Sequence, residues 1–570
     1  MSIETPRPWL SHYAPGVPHD IDLPKDSLYD LLETSVAAYG NQVALEFFGA
    51  TTSYRELGEQ VARAAEGLRA LGVKKGDPVA IVLPNAPQHI VAFYAVLRLG
   101  AIVVEHNPLY TPRELRHQFE DHGAKVVIAW SKVVETIQAF PADVAVDTIV
   151  SVDITRSMPL LTRAALRLPI AKARESRAAL TTRVRGTVRW SALLKSEPIA
   201  ADVERPTPDD VAVIQYTSGT TGRPKGATLT HLNLGANAAQ ARAWVPTIER
   251  GTSVVYAVLP MFHAYGLTLC LTFAMSMGSR LVLFPKFDPA LVLKVLRKRP
   301  PTFLPAVPPI YERLMAAAEA DGVSLTGIQI AISGAMPLAQ SLVEPWEKLT
   351  GGYLVEGYGL SETSPVLMAN PVSATRRAGT VGLPLPNTEV RVIDPENPMV
   401  DRAPGDEGEL VVRGPQVFGG YWKKPDETAA VFVADPADGA PWFRTGDIVT
   451  IDSDGFVSVV DRIKELIITG GFNVAPSEVE EALKAFPGVA DVAVVGLPSA
   501  HSGEDVAAAV VMEAGAMFDE AAIRAFAREN LTPYKVPRQV VEVKELPKSL
   551  IGKTLRRVVR EQLIVESEAK

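Results

Sequence analysis

The run Tyr216–Gly226, YTSGTTGRPKG, concentrates groups that hold anions. Gly219, Gly222 and Gly226 lack a Cβ, so backbone N–H groups can turn inward without obstruction. Thr217, Ser218, Thr220 and Thr221 add hydroxyl donors, and Lys225 adds a point charge. Together they suit an oligophosphate tail. No Gly-Lys-Ser/Thr closes the run, so it is not the common nucleotide loop. Glu362 stands in an otherwise uncharged turn, YGLSET, where a hard oxygen ligand suits Mg2+ bridging phosphates. Asp447, in FRTGD, has the chemistry to accept from both hydroxyls of a ribose. His263 lies in an apolar run, PMFHAYG, where a lone histidine is usually core.

These residues need a scaffold, and the pattern of the chain predicts one. DPVAIVLP, AIVVEHNP and AKVVIAW are expected strands, separated by the expected helices QHIVAFYAVLRLG and TPRELRHQFEDHG. Alternation of this kind implies a parallel α/β sheet. It recurs after the glycine-rich run, in SVVYAVLP, SRLVLFP, DPALVLKVLRKR and PTFLPAVP, so two similar α/β halves are expected. From Val372 to Val460 short alternating strands with Gly and Asp turns predict a β-rich subdomain. After DRIKELI about a hundred residues with a compact α+β pattern remain, enough for a small domain of their own. The expected division is 1–461 and 462–570, with a boundary near Asp461–Lys464.

Composition sets limits. At 570 residues, 47% apolar and 21% charged, the chain is an ordinary globular one, not a disordered one. A net charge of −8 makes no case for nucleic acid. Cys270 is the only cysteine, which excludes an internal disulfide and a cysteine-cluster metal site; it is expected to be a small buried hydrophobe. The first residues show no basic region followed by an apolar run, so no secretory leader is expected, and a cytoplasmic location follows. Val258–Gly278 is apolar but broken by Pro260, His263 and Gly266, and is expected to be buried strand, loop and helix.

YTSGTTGRPKG resembles the phosphate loop of the adenylate-forming superfamily: acyl- and aryl-CoA synthetases, peptide-synthetase adenylation domains and luciferase. Four further stretches resemble that superfamily's motifs in the same order: YGLSET (Tyr358–Thr363), FRTGD (Phe443–Asp447), DRIKELIITGGFNVAPSEVE (Asp461–Glu480) and LPKSLIGKTLRR (Leu546–Arg557). The resemblance covers nearly the whole chain. It implies a large AMP-binding domain and a small mobile C-terminal domain that swings about Lys464. It implies ATP, Mg2+ and coenzyme A, with Lys553 as the adenylation lysine and Glu362 as the metal ligand, shared with Thr217. It places Gly334, Ala335, Glu356, Gly357, Tyr358, Gly359 and Ser361 around adenine, small residues at 334 and 335 admitting a flat ring. It assigns Asp447 to ribose, Arg462 to ribose or phosphate, His263 to the wall between nucleotide and acyl group, and Gly470 and Gly471 to a loop lining the pantetheine tunnel. Ile468 stands where some long-chain relatives carry lysine, so that extra phosphate contact is not carried over.

HNPLYTPREL and PWLSHYAPGVP resemble bacterial medium- and long-chain fatty acyl-CoA ligases, which implies a fatty acid and CoA as substrates. AYGLTLCLTFAMSMG, after His263, is either the lining of an aliphatic tunnel or a core helix. A fatty acyl-AMP ligase that loads a carrier protein, an aryl-CoA ligase and a non-catalytic nucleotide-binding homologue are the alternatives, the last opposed by Lys225, Glu362, Asp447 and Lys553. One segment departs from the charge pattern: Thr155–Trp190 holds nine basic residues and one acid, a local +8 that leaves −16 for the rest. It is a solvated surface insertion or a peripheral membrane contact. A homodimer is a further candidate assembly.

Overall fold

The fold comes from a computed structural model that describes residues 7–144, 146–217, 224–435, 438–462, 465–469, 472–499, 503–531, 533–549 and 552–568. The chain forms two compact units: Thr5–Glu389 with Arg413–Phe432, and Val390–Val412 with Val433–Lys570.

The first unit holds the two expected α/β halves, each built on a sheet that is parallel at its centre. In the eight-stranded sheet, Val211–Thr217, Ile102–Glu105, Pro78–Val82, Val126–Trp130, Thr148–Val152 and Val188–Arg189 run parallel, in that spatial order. In the nine-stranded sheet the parallel centre is Tyr353–Gly359, Ile330–Ser333, Phe303–Ala306, Val254–Ala257, Arg280–Leu283 and Val43–Phe47. Their strands read as continuous apolar runs because both faces are covered. Helix starts are set by local capping. Thr111 accepts from Glu114 N–H while the Glu114 carboxylate accepts from Thr111 N–H at 2.8 Å. Thr230 and Asn233 make the same reciprocal pair ahead of His231–Trp244.

Pro87–Arg98 is buried on every side, which an apolar helix of this kind requires. Its last residue is a buried cation. The Arg98 guanidinium donates to Ala200 O, Val203 O and Glu204 O, each at 3.1 Å, and lies 5.5 Å from the Tyr29 ring centre. The run after His263 is buried: Ala264–Gly266, a π-helical turn Leu267–Thr272 and Phe273–Met277. Burial pushes the Cys270 thiol up to about 12, so it is an inert hydrophobe, as expected. No helix among the described residues is long and apolar enough to cross a membrane.

The second unit holds the expected β-rich sheet, Glu389–Ile393, Gly408–Arg413, Pro441–Ile451, Phe432–Ala434 and Val457–Arg462, and the α+β pattern that follows. In the latter, Val489–Ser499 and Gly503–Met512 alternate sides. Val492, Val494, Val506, Ala508 and Val510 pack with Val479, Leu483 and Ile523; Ala493, Val495, Ala507 and Ala509 pack with Val559 and Leu563. Period-2 burial on both faces is why this stretch is apolar throughout. The expected boundary near Asp461–Lys464 falls inside this unit, and Lys464 lies outside the described residues.

Arg98→Leu removes the buried guanidinium that donates to the Ala200, Val203 and Glu204 carbonyls. Hydrogen bonds from a charged group are worth about 1.5–3 kcal/mol, so the urea midpoint of the first unit, followed by tryptophan fluorescence, is expected to fall; an unchanged midpoint contradicts the assignment.

Candidate active site

The glycine-rich run joins two antiparallel strands, Val211–Thr217 and Lys225–Thr230, whose register sets Thr217 directly across from Lys225. The hydroxyl and the cation therefore flank the loop from opposite strands. Ser218, Gly219, Thr220, Thr221 and Gly222 lie outside the described residues. The hairpin is fixed at its base by Tyr216, whose hydroxyl donates to Asp121 Oδ2 at 2.8 Å, and at its edge by Trp422 N–H, which donates to Gly226 O at 2.7 Å.

Lys225 has a partner. Its Nζ lies 2.5 Å from Glu427 Oε2 and 5.2 Å from the Tyr421 ring centre. Tyr421 in turn donates its hydroxyl to Glu362 Oε1 at 2.9 Å. One aromatic side chain thus links the loop lysine to the expected metal carboxylate. Glu362 is buried in the short turn Ser361–Thr363, and its backbone carbonyl accepts from Phe418 N–H at 2.8 Å. Among the described residues no group of three or more His, Cys, Asp or Glu is arranged to hold a metal ion. That donor set fits Mg2+ on a nucleotide, which takes one or two carboxylates and completes its shell with phosphates and water. Glu362 and the Thr217 hydroxyl would hold it, and the ion would neutralise phosphate charge.

The turn Tyr358–Ser361 borders a partly open pocket. His263, Gly334, Ala335, Gly357, Tyr358, Gly359 and Ser361 all line it, so seven expected residues from three separate motifs meet at one cavity. Gly359 is obligatory: a Cβ there would stand 1.8 Å from Pro365 O. A Cβ on Gly334 would approach the Tyr265 ring to 3.2 Å and Gly357 O to 3.3 Å. Ala335 adopts φ 64°, an uncommon conformation for a residue with a side chain, of the kind found at ligand sites. The rest of the wall is apolar: Trp244, Leu269, Phe303, Val366 and Leu385. Of the run after His263, Ala264, Tyr265 and Leu269 reach the cavity while the remainder is core.

Burial lowers the His263 pKa, so the imidazole is neutral. Its Nδ1 accepts from Tyr265 N–H at 3.3 Å, which leaves the proton on Nε2. Burial pushes the Glu356 carboxyl up to about 8, so it is protonated at neutral pH and can both donate and accept.

The other expected residues belong to the second unit. Asp447 and Arg462 come from different motifs, yet the sheet register makes them cross-strand partners. Asp447 is buried, with its N–H donating to Thr445 Oγ1 at 3.1 Å. Lys553 is tied to Ser549: Ser549 N–H donates to Lys553 O at 2.7 Å and Lys553 N–H to Ser549 Oγ at 3.1 Å. Close by in sequence, Arg556 pairs with Glu480, Glu465 and Asp461, and Asp461 also accepts from Ser477 N–H at 3.0 Å. Gly470 and Gly471 lie outside the described residues. Tyr421, Glu427, Trp244 and Arg556 escaped the sequence reading. An aromatic pair, Tyr421–Trp422, ahead of the charged KKPDET was the one local signal.

A glycine-framed turn at a largely apolar pocket, and a hairpin flanked by a hydroxyl and a cation, stand where the adenylate-forming resemblance implies them. The model of the AMP-binding enzyme family matches residues 32–422, and that of its C-terminal domain matches residues 478–553. The chain belongs to the AMP-binding enzyme family. It is 37% identical to a long-chain-fatty-acid–CoA ligase of Bacillus subtilis (strain 168), over 98% of this chain and 99% of that one. A ligase of the same name from Escherichia coli O157:H7 is 39% identical over 97% and 98%. Among solved structures, ATP-bound MatB from Rhodopseudomonas palustris superposes with a TM-score of 0.81 at 32% identity, covering 95% of this chain and 99% of that one. A Mycobacterium tuberculosis fatty acyl CoA synthetase gives 0.73 at 28%, covering 95% and 99%.

Tyr421→Phe removes the donor to Glu362 and keeps the ring under Lys225. A hydrogen bond to a charged group is worth about 1.5–3 kcal/mol, so Mn2+ titrated into the enzyme with a non-hydrolysable ATP analogue and followed by electron paramagnetic resonance should bind roughly tenfold more weakly. Unaltered Mn2+ affinity contradicts the link.

Proposed function

We propose that this chain is an ATP-dependent fatty acid–CoA ligase that works through an acyl-adenylate: fatty acid and ATP give acyl-AMP and pyrophosphate, then CoA gives acyl-CoA and AMP. The observation that carries this reading is the shared cavity. Its apolar wall suits an aliphatic tail, and the glycine-framed turn at Tyr358 and the neutral His263 border the same space. A tail seated there directs its carboxylate toward the nucleotide side. The curated ligases named above, alike over nearly their full length, support a medium- to long-chain acid.

Within this reading, Thr217, Lys225 and the residues from Ser218 to Gly222 grip the β- and γ-phosphates that leave as pyrophosphate. Glu362 and Thr217 hold Mg2+. Glu356, Gly334 and Ala335 accommodate adenine, with Tyr358 stacked on it. Asp447 binds the ribose hydroxyls, with Arg462 beside them. Lys553 supplies the mobile cation for the α-phosphate and carboxylate. Residues 462–570 act as the small domain, turning about Lys464, with Gly470 and Gly471 along the pantetheine path. We place the enzyme in the cytoplasm, where ATP and CoA are available, with peripheral access to membrane lipid.

Lys553→Ala should cut pyrophosphate release from fatty acid and ATP by about a hundredfold or more, the scale of losing one transition-state donor. Thioester formation from synthetic acyl-AMP and CoA should persist. Pyrophosphate release at the parent rate refutes the role. An acid panel, with acyl-CoA as readout, should favour aliphatic chains over cinnamate and benzoate.

A further inference from the structure

The basic segment sits at the edge of the eight-stranded sheet and is tied down at both ends. Thr155 and Met158 are buried at one end. At the other, Trp130 Nε1 donates to Leu180 O at 2.8 Å, Lys132 Nζ to Ala178 O at 2.6 Å, and Gln138 Nε2 to Arg185 O at 2.9 Å. Two short helices run between these anchors, Leu160–Ala165 and Ala171–Leu180.

These helices have almost nothing to pack against. The first buries no side chain and the second buries only Ala173. Helices this short are marginal in water and take their stability from packing one face. The apolar residues they could use point outward: Leu160 is 77% exposed, Leu161 86%, Leu168 50% and Ile170 54%. Singly exposed apolar side chains are ordinary; four within one short stretch form a patch.

The charge around this patch is also uncompensated. Among the described residues, only Arg156 of the nine basic side chains has an acidic partner, Asp153 at 3.7 Å. The other cations repel one another on a chain that is otherwise acidic. A surface that is at once apolar and cationic matches an anionic bilayer, whose phosphates neutralise the arginines while its acyl region takes the leucines. Nucleic acid would use the charge but not the leucines, and no aromatic ring lies between Arg156 and Arg189 for a base to stack on. A second copy meeting this surface symmetrically would bring the same positive charge against it.

We propose that residues 158–185 form a docking surface for an anionic lipid bilayer, with Leu160, Leu161, Leu168 and Ile170 inserted below the headgroups and the flanking arginines on lipid phosphates. The proposal rests on the fatty-acid reading for its purpose: it names the place where an acid dissolved in a membrane is collected.

The test is co-sedimentation of the full chain with vesicles of phosphatidylcholine alone and of phosphatidylcholine mixed with phosphatidylglycerol. The parent should sediment only with the anionic vesicles, less as salt rises. Replacing Arg163, Arg167, Arg174 and Arg177 by Gln should weaken binding roughly fivefold per residue. Leu160→Ser, Leu161→Ser, Leu168→Ser and Ile170→Ser together should weaken binding without changing its salt dependence. Neither variant touches a buried side chain, so both should make octanoyl-CoA from dissolved octanoate at the parent rate. The proposal is overturned if the parent ignores anionic vesicles, if the variants sediment like the parent, if duplex DNA is bound in place of vesicles, or if the serine variant merely dissociates a dimer seen by light scattering. A parent that sediments yet makes no acyl-CoA from any acid sinks the ligase reading and leaves the docking surface standing.

Discussion

A carboxylate and a triphosphate repel each other, and an enzyme that joins them must hold cations where both can reach them. Two unit charges 4 Å apart interact by about 4 kcal/mol in surroundings typical of a protein surface, so the cost of assembly is mostly electrostatic. The first unit prepares one side of this meeting. Lys225 opens the second strand of the hairpin, mostly shielded from water, and a bare cation there would be costly. Glu427 neutralises it. Tyr421 lies under Lys225 and donates to Glu362, so the two residues proposed to hold phosphate and metal share one support.

The apolar cavity follows from the same constraint. Charge can be focused on the carboxylate only if the tail is drawn away from water and the headgroup is left facing the nucleotide. The ends of the parallel strands supply that geometry. Ile330–Ser333 and Tyr353–Gly359 are neighbours, and the residues that follow them, Gly334, Ala335 and Leu360, meet at the cavity rim. Glycine at 359 lets that turn fold onto Pro365 O, and no other residue fits there. A neutral His263 adds polarity to the wall without a competing charge.

Much of this was legible from the amino-acid order. Most central strands of the two large sheets are short apolar runs, and Thr111 with Glu114 announces its helix. Motif residues such as Gly334, Tyr358 and Glu362 are chemically conspicuous in otherwise neutral surroundings. What stayed hidden depends on pairing between distant segments. Tyr421 and Glu362 meet across 59 positions, and nothing local in either segment encodes the contact. The register that sets Asp447 opposite Arg462 is a property of the sheet. Arg98 looks like a surface residue at a helix end, yet three carbonyls more than a hundred positions away bury it. Trp244 closes an apolar helix in sequence and lines the cavity in space.

The account turns on one bond: the carboxylate oxygen of the acid attacks the α-phosphorus, and that oxygen leaves with AMP when CoA takes the acyl group. Palmitate labelled with 18O in both carboxylate oxygens, turned over with ATP and CoA, tests this directly by mass spectrometry of the nucleotide product. One 18O in each AMP is the predicted result; unlabelled AMP, with the label in phosphate or pyrophosphate, would contradict it.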